Sequence, residues 1–209
     1  MNKANAIKII EILKQTYPDA KCSLDFSTPF EMVVAVMLSA QCTDERVNKT
    51  TPHLFKKYPT IESFAKSDLS ELEKDIHPCG FYKNKAKNIK LCAQKIIDDF
   101  NGVVPSTMEE LITLPGIGRK SANVILLDVF DIPYGIAVDT HAKRISNKLG
   151  FSKETDPEKV ENDLLKVIPK KYIKDINHLF VWHGRNCCTA RNPNCSSCPI
   201  KLLCPKFFE

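Results

Sequence analysis

Apolar residues along this chain recur every three or four positions, the spacing of a helix that buries one face. One such stripe lies near the N-terminus and consists of Ala6, Ile9, Ile10, Leu13 and Tyr17. A longer stripe consists of Ala86, Ile89, Ala93, Ile96, Ile97 and Phe100. No segment alternates apolar and polar residues convincingly, as a half-buried strand would. The pattern therefore predicts an all-α fold.

Start and stop signals divide this pattern into separate helices. Thr28, Pro29 and Glu31 combine an N-cap, a proline at the first helical position and a glutamate at the third. They predict a helix that runs through Leu38. Asn101-Gly102 predicts the end of the helix formed by the longer stripe. Further start signals are Thr43, Asp68 with Glu71, Ser106 with Glu109, and Asp156-Pro157.

Length and composition allow a substantial core but favour no membrane segment. A chain of 209 residues with 43% hydrophobic content can form one domain or two closely packed lobes. It has no uninterrupted run of about 18 apolar residues, and its N-terminus lacks the apolar core of a signal peptide. We therefore expect a cytoplasmic protein without a membrane partner, in which thiols stay reduced.

Positive charge is concentrated locally within a formal net charge of +5. Residues 81–97 contain five lysines and no acidic residue, and residues 140–150 contain three basic residues and no acidic one. Such runs suit a polyanion such as the DNA backbone. A solvated helix face is the alternative interpretation of either run.

Four cysteines near the C-terminus, Cys188, Cys195, Cys198 and Cys204, are separated by six, two and five residues. Only Cys195 and Cys198 form the close pair typical of zinc sites, whereas a cubane iron–sulfur cluster often takes its four thiolates from one local run. The spacing therefore favours a [4Fe–4S] cluster, with zinc or unligated thiols as alternatives. Cys187 lies beside Cys188, and spacing alone does not choose between them.

A tight turn, Leu114-Pro115-Gly116-Ile117-Gly118, separates two predicted helices in residues 106–130. The two glycines permit positive φ and a close approach of the backbone to a ligand. Amide groups of the turn and of the following helix start can then bind an anion, as in a helix–hairpin–helix motif that holds a DNA phosphate. An ordinary αα-hairpin is the alternative, while the glycine spacing fits neither a Walker loop nor a dinucleotide-binding loop.

Four segments together resemble the endonuclease III family, DNA glycosylase/lyases of the helix–hairpin–helix superfamily. They are MLSAQCTDERVNK, LPGIGRKSANVIL, AVDTHAKRISNKLG and HGRNCCTARNPNCSSCPIKLLC. The resemblance extends over essentially the whole chain. It implies a six-helix barrel at residues 24–134 containing the hairpin, and a second lobe formed by residues 1–23 and 135–209. It also implies a monomer that holds a [4Fe–4S] cluster in residues 188–204, with Cys188 as the first ligand.

The resemblance assigns catalytic roles to two residues. Lys120 is the expected nucleophile and Asp139 its acidic partner. An unprotonated lysine amine can attack the sugar C1′ as the base leaves and form a Schiff base, and a carboxylate can stabilise the positive charge that develops. The implied reaction removes oxidised or saturated pyrimidines from double-stranded DNA, then cuts 3′ to the abasic site by β-elimination. Asp139 is also a suitable N-cap for a helix over residues 140–149.

DNA contacts are implied at the hairpin and at two further positions. Gly116, Gly118 and Arg119 belong to the hairpin contact. By resemblance, Gln41 fills the space left by a flipped base, and Phe81 acts as a wedge where the family more often has leucine. A core or surface role is the alternative for Phe81.

Two other functions are compatible with parts of the sequence. An adenine-mismatch or other monofunctional glycosylase of the same superfamily would share the cluster spacing, but such enzymes generally lack the hairpin lysine. A non-enzymatic iron–sulfur DNA-binding module would need the hairpin and the cluster without the pairing of Lys120 and Asp139.

Overall fold

The protein, described by a computed structural model over residues 1–207, is helical. Within those residues it forms eleven α-helices and four short 3-10 helices, and no strand, which confirms the all-α prediction. The α-helices are α1 Lys3–Thr16, α2 Pro29–Ser39, α3 Asp44–Lys57, α4 Ile61–Lys66, α5 Leu69–Asp75, α6 Tyr82–Phe100, α7 Met108–Leu111, α8 Arg119–Phe130, α9 Thr140–Lys148, α10 Pro157–Val167 and α11 Ile173–Asn186. The 3-10 helices are His77–Cys79, Lys170–Tyr172, Lys201–Leu203 and Pro205–Phe207.

The helices form two compact units. The central unit comprises Ser23–Phe130, and the terminal unit comprises Met1–Cys22 with the chain from Asp131 onward. The assignment of a six-helix barrel domain to residues 24–134 stays a prediction.

In the central unit, α2 occupies the middle of the core. Eight of its residues, from Phe30 to Leu38, are buried, and α2 contacts α3, α6 and α8. Its three valines would favour a strand in isolation. The Thr28 cap and Pro29 start a helix instead, and the Thr28 hydroxyl accepts a hydrogen bond from the Glu31 amide at 3.2 Å.

In the terminal unit, α11 packs against α1 and α9, and α9 also contacts α10. The N-terminal apolar stripe lies in this core, with Ala6, Ile9, Ile10 and Leu13 fully buried. None of the helices in the described part of the chain combines the length and apolar character needed to span a membrane.

Most predicted helix starts are confirmed, with one shift of a single residue. Thr43, Asp68 and Asp156 cap α3, α5 and α10. The predicted cap of α7 by Ser106 with Glu109 is wrong, because Thr107 accepts the hydrogen bond from the Glu110 amide. Ser106 precedes Glu109 by three positions, and Thr107 precedes Glu110 by the same distance. The sequence pattern therefore fits either residue as the N-cap.

Candidate active site and iron–sulfur centre

The hairpin consists of α7, a turn that ends at Gly118, and α8. Gly116 has φ +83°, and a Cβ there would lie 2.7 Å from Met37 Cε, so the turn requires glycine. Gly118 differs from the expectation, because its φ is not positive. A Cβ at Gly118 would have no other heavy atom within 4 Å. Both glycines are exposed, and Gly118 leaves the approach to the start of α8 open.

Arg119 and Lys120 are the first two residues of α8. Gly118 O accepts a hydrogen bond from the Ala122 amide at 2.9 Å, so the helical hydrogen bonds begin at the turn. The first amides of a helix point along its axis without an intrahelical acceptor and favour an anion. Lys120 is exposed beside them and Arg119 is half-buried. This end of α8 can therefore bind a phosphate next to a primary amine.

Asp139 follows a buried segment of the terminal unit that has no regular secondary structure. Ile136, Ala137 and Val138 are at most 5% exposed. The Ile136 amide donates to Glu161 Oε1, and the Asn177 side-chain amide donates to Ala137 O. These contacts fix the backbone that leads to the carboxylate.

The Asp139 carboxylate caps α9. Asp139 Oδ1 accepts a hydrogen bond from the Ala142 amide at 2.7 Å, which confirms the predicted N-cap. Asp139 is half-buried, so the carboxylate is held in one orientation and remains accessible. The structure thus provides an oriented negative charge at the helix N-terminus.

Arg144 connects α9 to the cysteine loop, a role that the sequence did not suggest. Its guanidinium donates to Cys188 O at 2.8 Å and to Gly184 O at 3.1 Å, and it contacts His141 Nδ1 at 3.2 Å. Burial lowers the pKa of His141, and the Arg144 charge acts in the same direction. Arg144 therefore fixes the end of α11 and the backbone at the first predicted ligand.

The clustered cysteines surround one cavity of about 290 Å³. It is lined by Cys187, Cys188, Cys195, Cys198 and Cys204, with apolar walls from Ile145, Leu149 and Ile200. Several thiols around an apolar cavity are the donor set that an iron–sulfur cluster requires. The residues present therefore fit such a cluster.

Cys187 and Cys188 differ in their surroundings within this loop. The ligand atoms of His183, Cys187 and Cys198 lie within 4.8 Å of one another. Cys188, which is less buried, also lines the cavity, and burial raises the pKa of its thiol. Burial raises the pKa of Cys198 to about 12, so ligation of this residue must displace a proton.

His183 also lines the cysteine cavity and was not anticipated from the sequence. Its Nδ1 is 3.1 Å from Tyr17 Oη, and its Nε2 is 3.8 Å from Cys198 Sγ. Burial, followed by the Arg144 charge, lowers the pKa of His183 to about 4, so the ring is neutral near pH 7. Its only sequence signal is its position directly before Gly184, near the end of α11.

The two remaining predicted DNA contacts lie in loops of the central unit. Gln41 follows α2, and Phe81 directly precedes α6 with 64% of its surface exposed.

The lysines of the basic run that begins at Phe81 lie in different environments. Lys83 and Lys87 are exposed, whereas Lys85 is buried. The run is therefore not a uniform phosphate-binding face.

Comparison with known proteins assigns this arrangement to a family. Residues 34–170 match the family described as HhH-GPD superfamily base excision DNA repair protein. Residues 188–204 match the iron–sulfur binding domain of endonuclease III. An endonuclease III from Synechocystis sp. is 51% identical over 203 residues, which cover 97% of this chain and 93% of that protein. The chain belongs to the endonuclease III family. This confirms the relationship predicted from the motifs.

Solved structures of endonuclease III share the fold. One is a non-covalent endonuclease III–DNA complex, with a TM-score of 0.95 and 42% identity over 100% of this chain and 97% of that one. Another is a trapped endonuclease III–DNA covalent intermediate, with a TM-score of 0.95 and 42% identity, covering 100% of this chain and 98% of that one.

The endonuclease III relationship confirms the predicted cofactor, a [4Fe–4S] cluster. The matched iron–sulfur segment begins at residue 188 and ends at residue 204. Those positions are the first and last cysteines of the predicted ligand set.

Proposed function

We propose that this base excision repair glycosylase/AP lyase removes oxidised or saturated pyrimidines from duplex DNA, with Lys120 as its nucleophile. The observation that supports this assignment is the position of Lys120. It is an exposed amine at the second residue of α8, directly after a turn whose amides can hold a backbone phosphate. The covalent DNA intermediate of a relative 42% identical over the whole chain agrees with chemistry of this kind.

The reaction starts when the unprotonated Lys120 Nζ attacks the sugar C1′. The bond to the base breaks, and the base leaves with a proton. The C1′–O4′ bond then opens with protonation of O4′, and the resulting imine withdraws electrons from the sugar. Loss of a proton from the adjacent carbon then expels the 3′ phosphate by β-elimination. Asp139 supplies a fixed negative charge that stabilises the developing cation and assists the proton transfers. Because the Ala142 amide orients Oδ1, the carboxylate needs little reorganisation as charge develops.

The target base must leave the helical stack before the amine can reach its sugar. We assign Gln41 to the space vacated by the flipped nucleotide and Phe81 to the step beside it. An exposed aromatic ring can stack on an unpaired base. Gly116, Gly118 and Arg119 hold the backbone near this point.

The cluster is assigned to Cys188, Cys195, Cys198 and Cys204. When bound, it cross-links the loop after α11 through iron–thiolate bonds. Arg144 and His183 support that loop from α9 and α11. We also infer that the protein works in the cytoplasm, on nucleoid DNA.

Reductive trapping tests the nucleophile. Sodium borohydride should convert the imine into a stable covalent complex between the protein and a duplex that contains an oxidised pyrimidine. Lys120→Gln should abolish this complex while the protein still binds the lesion. Lys8→Gln, which removes an exposed lysine of α1, should trap like the parent protein.

Two results would redirect the assignment. Peptide mapping that finds the DNA attached to another amine would contradict the role of Lys120 and leave the reaction class intact. Base excision without any trapped complex would instead identify a monofunctional glycosylase that uses activated water.

A further inference from the structure

Two loops of the central unit hold a non-glycine residue in the left-handed region. Gln41 has φ 53° and Phe81 has φ 48°. Long and aromatic side chains are disfavoured in this region, and such strain persists only where the surroundings hold the backbone in place. Each loop therefore requires an anchor.

Lys85 anchors both loops. It is 7% exposed, and its Nζ donates to Leu38 O and to Cys79 O, each at 2.9 Å. Leu38 lies three residues before Gln41, and Cys79 lies two residues before Phe81. One ammonium group thus fixes the backbone immediately ahead of both strained residues.

The choice of a lysine at this buried position is informative. Removing an ammonium group from water is unfavourable, and burial lowers the pKa of Lys85. Leu38 O lies in the last turn of α2, and Cys79 O lies at the end of a 3-10 helix. Carbonyls at helix ends lack intrahelical donors and carry partial negative charge, so a buried cation satisfies two of them together.

A second contact ties one loop to the start of α3. Arg46 Nη1 donates to Pro78 O at 3.4 Å, and Arg46 belongs to the first turn of α3. The His77–Cys79 turn is therefore held by cations from both α3 and α6.

We propose that Lys85 is a positioning residue for base extrusion, which holds Gln41 and Phe81 at a fixed separation so that both enter the duplex together. This inference rests on the proposed function, in which these two side chains contact DNA. Extrusion of a paired base requires a few kcal/mol of unstacking and unpairing. The inserted residues can hold that altered duplex only if their loops resist displacement.

Lys90 offers a matched control on the same helix. Its Nζ also donates to two backbone carbonyls, Ala65 O and Ser67 O, both at 2.6 Å. Those carbonyls lie at the connection between α4 and α5, away from the loops of Gln41 and Phe81 in sequence. Lys90→Met therefore removes a comparable pair of hydrogen bonds to backbone carbonyls, and neither bond involves the loop of Gln41 or of Phe81.

The test compares one oxidised pyrimidine in two settings. In the first duplex the lesion is paired, and in the second it lies in a short bubble where no partner base holds it. Single-turnover excision is measured for the parent protein, Lys85→Met and Lys90→Met. Lys85→Met should lose roughly 100-fold in rate on the paired lesion, the scale of a small misplacement. Its loss on the unpaired lesion should be much smaller, and Lys90→Met should keep the parent ratio of the two rates.

The outcomes separate this inference from the proposed function. If Lys85→Met slows excision of the paired and the unpaired lesion equally, the positioning role is wrong. It is also wrong if Lys90→Met lowers the ratio of the paired-lesion rate to the unpaired-lesion rate as far as Lys85→Met does. Parent protein that excises neither lesion would refute the proposed function itself. Should Lys85→Met fail to fold, Lys85→Gln provides a second variant, which keeps two N–H donors but removes the charge and shortens the side chain. The ratio of its paired-lesion rate to its unpaired-lesion rate must also fall, and an unchanged ratio would overturn the positioning role of Lys85.

Discussion

At the residue scale, Asp139 has one observed role and one proposed role, which separate substitutions can distinguish. Its Oδ1 atom accepts the Ala142 amide and so completes the start of α9. In the proposed reaction its charge also stabilises the sugar cation. The first task needs an oxygen acceptor and the second needs an anion, so asparagine retains one and loses the other.

We predict that Asp139→Asn slows base excision by about 100-fold or more while the unfolding free energy barely changes. Asp139→Ala should slow the reaction similarly and also destabilise the protein by about 1 kcal/mol, because the cap is lost. Single-turnover kinetics and urea unfolding measure the two effects. Near-parent activity in Asp139→Asn would show that the carboxylate serves only as a cap.

At the scale of the helical elements, the hairpin has two glycines with different physical roles. Gly116 adopts φ +83° against Met37, so alanine there is strained and clashes. Gly118 has open space around its missing Cβ. The first glycine contributes to the stability of the fold, and the second leaves the end of α8 accessible.

We predict that Gly118→Ala leaves the unfolding free energy almost unchanged and weakens binding to damaged and undamaged duplex alike, by about 10-fold. The added methyl group would occupy the open space beside the start of α8, where the proposed phosphate contact lies. Gly116→Ala should instead destabilise the fold by about 1–3 kcal/mol. Fluorescence anisotropy and thermal unfolding separate the two variants. A changed lesion preference with undiminished DNA affinity in Gly118→Ala would contradict the hairpin assignment.

Local patterns predicted the helices well because caps and apolar stripes act within a few residues. The predicted helix start was ambiguous where two residues that can cap a helix are adjacent, as with Ser106 and Thr107. The burial of Lys85 was missed because a lysine normally indicates a solvated face, although Lys85 lies one turn before the buried Ile89. The left-handed conformation of Phe81 also has no local sequence signal, since an aromatic residue is rarely found in that region.

At the scale of the whole molecule, the chain after α11 buries little apolar surface of its own. Of residues 187–207, only Cys187 and Ile200 are buried. A segment with so little apolar burial cannot offset its conformational entropy unaided. The cluster therefore has to supply much of the stabilisation, as structural metals do in small domains.

We predict that Cys188→Ala and Cys204→Ala lose the iron, about four atoms per chain in the parent protein. Their unfolding temperature should fall by about 10 °C, corresponding to about 4 kcal/mol. Cys187→Ala should keep both its iron and most of its stability. Iron analysis on anaerobically purified protein, with calorimetry, checks this. If Cys188→Ala retains its iron and Cys187→Ala loses it, then Cys187 is the ligand and Cys188 is not.

The chemical pattern of the site was predictable, but its geometry was not. Four cysteines in a short run must lie near one another, so their common cavity followed from the sequence. Lys120 and Asp139 are nineteen positions apart and belong to different units, and no local rule brings them together. Their joint action stays a prediction.

Helix α9 gives the terminal unit a further property. Asp139 forms its N-terminal cap, Arg144 from its middle holds Cys188 O, and Lys148 O at its end lies 4.0 Å from Cys204 Sγ. A helix of nine residues is a hydrogen-bonded rod about 13 Å long. One helix thus carries the carboxylate and also contacts the backbone or thiol of two predicted cluster ligands, and any coupling of binding free energies between the two sites is reciprocal. If the bound cluster stabilises the position of Asp139, DNA bound at Asp139 must in turn raise the affinity of the protein for the cluster.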